Sequence, residues 1–188
     1  PLLGVRAFVA LRFLLADMGS LGWFRLASWK LAYQFLAGVR LARSMQKTGC
    51  THLHIHFAHV PTQIGMYASA LSGIAFTVTA HANDIFERGV LLQSKAARAK
   101  KFFTISEHNI RHLLGLGIPA EQLAIVRCGV SLAADASAAG RHVQGGVVHI
   151  GSLGRMVEKK GFDVLIRSVA LLKQRGQDWT PERLRRAV

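Results

Sequence analysis

Between residues 51 and 127, short β-branched and aromatic runs alternate with helix-length segments, and no other feature limits the fold as tightly. The spacing predicts strands over residues 51–58, 74–79, 102–105 and 123–127. Helices are predicted between them, over residues 61–71, 91–100 and 107–114. Pro61 sits just inside a helix start and Gly73 just past its end, the usual Pro-first, Gly-last order. Repeated strand–helix units imply an α/β fold with a parallel, doubly wound sheet. In such sheets ligands bind outside the carboxyl ends of the strands.

The flanking segments read differently. Residues 1–48 place apolar and basic positions at helical spacing, as in Trp23, Leu26, Ala27, Lys30 and Leu31. Two or three helices are expected, apolar on one side and cationic on the other. Arg6, Arg12, Arg25, Lys30, Arg40, Arg43 and Lys47 face only Asp17 in acid content. Such helices either pack with solvated basic faces or dock on anionic lipid headgroups, with Trp23 and Trp29 near the interface. Residues 131–146, SLAADASAAGRHVQGG, have the composition of a linker. A strand over residues 147–150, a Gly-rich turn and a helix over residues 162–175 follow. The domain plan is therefore residues 1–48, 49–130, 131–146 and 147–188.

Bulk properties narrow the setting. An apolar fraction of 51% over 188 residues provides for a buried core and argues against extensive disorder. The net charge of +14 favours anionic partners, namely nucleic acid, membrane surface or phosphorylated ligands. No nucleic-acid-binding pattern accompanies it, so nucleic acid is not the expected partner. Cys50 and Cys128 are too few for a disulfide framework or a zinc knuckle, which fits a reducing, cytoplasmic setting. Charged residues interrupt every apolar stretch before residue 48 well short of a spanning helix.

Four polar clusters fall at predicted strand ends: residues 56–59, 81–84, 106–109 and 151–160. His56, His81, Asp84, Ser106 and Glu107 are the candidates to line a crevice there. In THLHIHFAH, His52, His54 and His56 share one face. Alternate positions on a strand are nearly 7 Å apart, awkward for three ligands of one tetrahedral ion, and no metal site is expected. His81 can bond a hydroxyl or phosphate or move a proton, or it can belong to a helix entry capped by Asn83 or Asp84. In GSLGRMVEKKG, glycines admit a ligand to the backbone and the next helix offers free N–H groups. Arg155 can grip phosphate oxygens bidentately, and Lys160 supplies a point charge. The order matches neither a dinucleotide fingerprint nor a Walker A loop.

HIHFAH, TAHANDIF, TISEHN, CGV and GRMVEKKGFDVLI occur in this order. Together they resemble the group 1, family 4 glycosyltransferases of bacterial exopolysaccharide and colanic-acid type, over roughly residues 50–176. The resemblance implies a GT-B-like Rossmann N-terminal domain on the acceptor side, followed here by only the first strand and helix of a second, donor-binding Rossmann domain. It implies a retaining sugar transfer from a nucleotide-sugar to a glycan or lipid-linked acceptor, without metal or other cofactor. Arg155 and Lys160, with Gly154, match the residues that hold the donor diphosphate, and His81 matches the histidine that reaches the transferring sugar. A cytoplasmic enzyme, peripheral on the inner membrane face, is the expectation. Ser131 stands where an Asp is usual, and residues 177–188 resemble nothing in the family. A truncated chain, inactive alone, is therefore expected.

Overall fold

The computed structural model describes residues 2–129 and 150–175. The chain divides into two units, residues 1–130 and 131–188. The expected linker over residues 131–146 lies outside the described residues, as does the expected strand over 147–150 apart from Ile150.

The first unit begins with two helices, α1 (Leu2–Leu21) and α2 (Leu26–Lys47). β1 (Leu53–His56), α3 (Val60–Ser72), β2 (Phe76–Ala80), α4 (Leu92–Arg98), β3 (Lys101–Thr104), α5 (Glu107–Gly115) and β4 (Leu123–Ile125) follow. A π-helical turn, Asn83–Glu87, leads from β2 towards α4. α3 has Pro61 in its first turn and ends on Gly73 at φ 78°, where a side chain would be strained.

The four strands are all parallel and lie in the order β1-β2-β3-β4. Ile55, Val78, Phe102 and Leu123 align across the sheet and are buried. Met66 and Tyr67 of α3, Leu92 and Ala96 of α4, and Leu113 of α5 join them in one core. A strand order that never reverses, linked by right-handed crossovers, puts every connecting helix on the same face. This corrects the doubly wound expectation for the described residues. The opposite face carries exposed His54 and His56 and half-buried Thr77, Thr79, Lys101 and Phe103. His54 bonds Thr77 and Thr79 across the strands at 2.7 and 3.1 Å, and His52 bonds Thr77 at 3.0 Å. Among the described residues no group of three His, Cys, Asp or Glu side chains could hold a metal ion.

α1 and α2 pack on the helical side. Asp17 is buried, and Arg98 donates to both its oxygens at 2.6 and 2.8 Å. The Tyr67 hydroxyl donates to the same carboxylate at 2.9 Å, and the Arg98 guanidinium lies 4.3 Å from the centre of the Phe13 ring. This bidentate network joins α1, α3 and α4. Gly38 lets α2 approach α3, since a Cβ there would stand 3.0 Å from the Ile64 carbonyl oxygen.

The outer surface of these helices carries exposed apolar side chains as well as basic ones. Leu26, Trp29, Tyr33 and Leu36 form an exposed stripe on α2 at helical spacing, and Phe8, Leu11 and Leu15 form one on α1. Trp23 and Phe24, at the turn between them, are exposed as well.

Candidate functional site

β1 ends in an unusual turn. The Phe57 N–H extends the ladder by donating to the Thr79 carbonyl at 2.9 Å, but the residue itself has φ 74°. A bulky residue at positive φ is strained, and such strain persists only where the surroundings over-determine it. Here they do. The Thr62 hydroxyl donates to the Phe57 carbonyl at 2.9 Å. The Ala58 N–H donates to Asp84 Oδ2 at 3.0 Å, and Lys95 Nζ donates to the Ala58 carbonyl at 2.6 Å. Every backbone polar group of Phe57 and Ala58 is therefore held.

The end of β2 is held by the same carboxylate. The His81 N–H donates to Asp84 Oδ2 at 2.9 Å. On the preceding residue, the Ala80 carbonyl accepts from the Thr104 hydroxyl at 3.2 Å, and Asn109 Nδ2 in turn donates to Thr104 Oγ1 at 2.8 Å. Asp84, Lys95, Thr104 and Asn109 are all buried. Buried polar groups are costly unless satisfied; Asp84, Lys95 and Thr104 are spent on the backbone at two adjacent strand ends, and Asn109 holds the Thr104 hydroxyl.

Above this network lie three rings. Phe57 is 5.6 Å from His59 and 5.2 Å from His81, centre to centre, and 47% of it remains exposed. His59 Nδ1 accepts from the Val60 N–H at 2.8 Å, which assigns the ring proton of the neutral form to Nε2. That nitrogen stands 3.7 Å from Asp84 Oδ1, an oxygen with no hydrogen-bond partner among the described residues. The imidazole of His81 has no such partner either, so it can meet a ligand. Burial pushes the Lys95 ammonium down to about 7, against the opposing charges of Asp84 and Asp17. Its two bonds, to the Ala58 and Val90 carbonyls, need only the two N–H groups a neutral amine retains.

The anticipated residues separate accordingly. His81 is at the site, half-buried. Asp84 is fully buried and cannot line a crevice; it sits within the π-helical turn rather than at its cap and positions backbone from below. Asn83 does not cap that turn either, its amide being paired with Glu87. His56 ends β1 on the open face, its ring edge-on to His54 at 4.9 Å. Ser106 caps α5 by accepting from the Asn109 N–H at 3.3 Å, while exposed Glu107 faces Arg127 at 3.5 Å. Lys95 gave no sequence signal; Thr104 and Asn109 lay in TISEHN, but nothing in a lysine, threonine or asparagine announces burial. Phe57 carried no signal beyond its place in HIHFAH, because it simply continues the apolar alternates Leu53 and Ile55.

In the second unit, a 3-10 turn at Glu158–Lys160 leads through Gly161, at φ 65°, into α6 (Phe162–Gln174). Gly154 lies against the Phe162 ring and the stem of Lys160, and Arg155 and Lys160 are both exposed. The turn thus gathers Gly154 and Lys160 at a helix N-terminus, where an anion meets free N–H groups.

Residues 19–134 match the family described as Glycosyltransferase Family 4, more than half of the chain. The chain belongs to that family. No curated protein and no solved structure matches it. Its α/β unit is a Rossmann-like domain of the kind found at the N-terminus of GT-B glycosyltransferases. The family match takes in Phe57, His81, Asp84 and Lys95; Gly154, Arg155 and Lys160 lie beyond it. Among the described residues no helix is long and apolar enough to cross a membrane.

Proposed function

We propose that this family 4 glycosyltransferase serves the transfer of a sugar from a nucleotide-sugar to a glycan or lipid-linked acceptor in cell-surface polysaccharide synthesis. The family match across residues 19–134 carries the reading. In it, His81 reaches the transferring sugar, and Arg155, Lys160 and the N–H groups opening α6 hold the donor diphosphate. Breaking the sugar–phosphate bond leaves negative charge on the departing nucleotide. Fixed cations and helix N–H groups neutralise that charge without a metal, and retention at the sugar carbon follows the family resemblance. Equilibrium dialysis with labelled UDP- and GDP-sugars tests it. Bound label that disappears in Lys160→Ala, with folding unchanged, is the expected result. Label that stays bound in that variant, or no binding of either donor, overturns it.

The exposed stripes of α1 and α2 favour an added role at the cytoplasmic face of an anionic membrane. Arg12, Arg25, Lys30, Arg40, Arg43 and Lys47 are exposed around them, and the sole acid of the segment is paired with Arg98. Binding of membranes or other polyanions without catalysis is the second reading, and it rests on this surface alone.

A further inference from the structure

The site at the ends of β1 and β2 has a part that the family reading does not assign. Phe57 is a bulky residue held at φ 74° with 47% of its surface exposed, although a glycine would adopt that turn without strain. Burial does not account for it, since the ring lies outside the core formed by the strand faces and helices. Four backbone bonds fix the turn, two of them made by buried Asp84 and Lys95. A structure that commits buried charged side chains to presenting one exposed ring is using the ring itself.

The neighbours define what the ring can receive. His59 is turned towards the protein, with Nδ1 accepting from the Val60 N–H and Nε2 3.7 Å from Asp84 Oδ1. His81 can meet a ligand, and its ring centre is 5.2 Å from that of Phe57. An apolar ring face beside one free imidazole suits a molecule with a C–H face and a hydroxyl edge. A pyranose has both: its axial hydrogens lie flat on an aromatic ring while its equatorial hydroxyls reach sideways to hydrogen-bonding groups. A purely apolar ligand would waste His81, and the buried Lys95 is not open to a phosphate.

We infer that Phe57 is a stacking platform for the sugar ring that His81 reaches, with His81 bonding a hydroxyl at its edge and Asp84 positioning both residues from beneath. This rests on the glycosyltransferase reading, and the two can fail separately. Loss of nucleotide-sugar binding would remove that reading and leave a carbohydrate site. An unaltered response to Phe57 substitution would remove the platform and leave the reading.

Saturation-transfer NMR on the full chain with millimolar methyl glucopyranoside tests the inference. Phe57→Gly removes the ring while suiting the turn, so it should fold at least as well as the wild type by circular dichroism. Phe57→Trp keeps an aromatic face. Saturation should pass to the glycoside ring protons in the wild type and in Phe57→Trp, and fall to background in Phe57→Gly. Transfer at wild-type level in Phe57→Gly, or none in the wild type, overturns the platform.

Discussion

Replacing Asp84 with Ala should cost more stability than any substitution at an exposed residue of the site. One oxygen of Asp84 accepts the N–H groups of Ala58 and His81 at 3.0 and 2.9 Å, in a side chain that is fully buried. Hydrogen bonds to charged groups contribute roughly 1.5–3 kcal/mol each, so losing both costs roughly 3–6 kcal/mol. The His81 bond is only part-buried, which places the total nearer ~4 kcal/mol. Domains are stable by about 5–15 kcal/mol, so the variant should fold marginally. Asp84→Asn keeps an acceptor oxygen for both N–H groups but turns its amide towards His59 Nε2 and removes the charge near Lys95. Its cost should be about half that of the Ala variant. Urea unfolding at neutral pH, followed by far-ultraviolet circular dichroism, measures both. An Ala variant within about 1 kcal/mol of the wild type would refute the claim that Asp84 holds the two strand ends.

Two further outcomes follow from other observations. Lys95, pushed down from 10.5 to about 7 by burial, is protonated in the unfolded chain at pH values where the folded chain has lost the proton. Its contribution to stability is therefore full above the unfolded value and is lost as pH falls towards about 7. Between about pH 7.5 and 9.5 wild-type stability should climb by roughly 2–3 kcal/mol relative to Lys95→Met, whose profile should be flatter. Tyr67 acts in the opposite sense only above about pH 10, because burial and the Asp17 charge raise its hydroxyl. Equal slopes for the two proteins would show that Lys95 does not titrate in this window. For the outer helices, replacing Phe24, Trp29 and Tyr33 together with Ser should weaken co-sedimentation with phosphatidylglycerol vesicles by about tenfold or more without loss of fold, since all three are exposed. Unchanged binding would dissociate this surface from membranes. Deleting residues 1–48 would be a poorer test, because Leu14, Met18, Leu31 and the Asp17–Arg98 pair belong to the core.

The order of strands and helices was legible in the sequence because period-two and period-3.6 apolar patterns are local. Pro61 and Gly73 fixed the ends of α3 for the same reason. Strand order was not legible: the pattern of residues 51–127 is the same whether or not the sheet reverses, and here it does not. The helices α1 and α2 were legible, but which apolar stripe faces inward was not, because Leu26, Trp29, Tyr33 and Leu36 continue a helical period that alone does not say which side is inside. At the site, His81 was visible as a polar residue at a strand end. Asp84 was visible for the same reason but given the wrong place, since burial depends on α4 and on the end of β1. Lys95 looked like one more surface cation in a basic chain. Its burial becomes apparent only once Ala58 and Val90 are seen to offer it carbonyl oxygens.

The most direct test of sugar handling at the strand ends and diphosphate binding at the Gly154–Lys160 turn is a residue-resolved one. Amide shifts of the isotope-labelled full chain should be followed during titration with UDP, and in a second series with methyl glucopyranoside. UDP should move the amides around Gly154, Arg155, Lys160 and Phe162, and the glycoside those around Phe57, His59 and His81. Shifts from both ligands confined to other surfaces, or none from either at millimolar concentration, would contradict it.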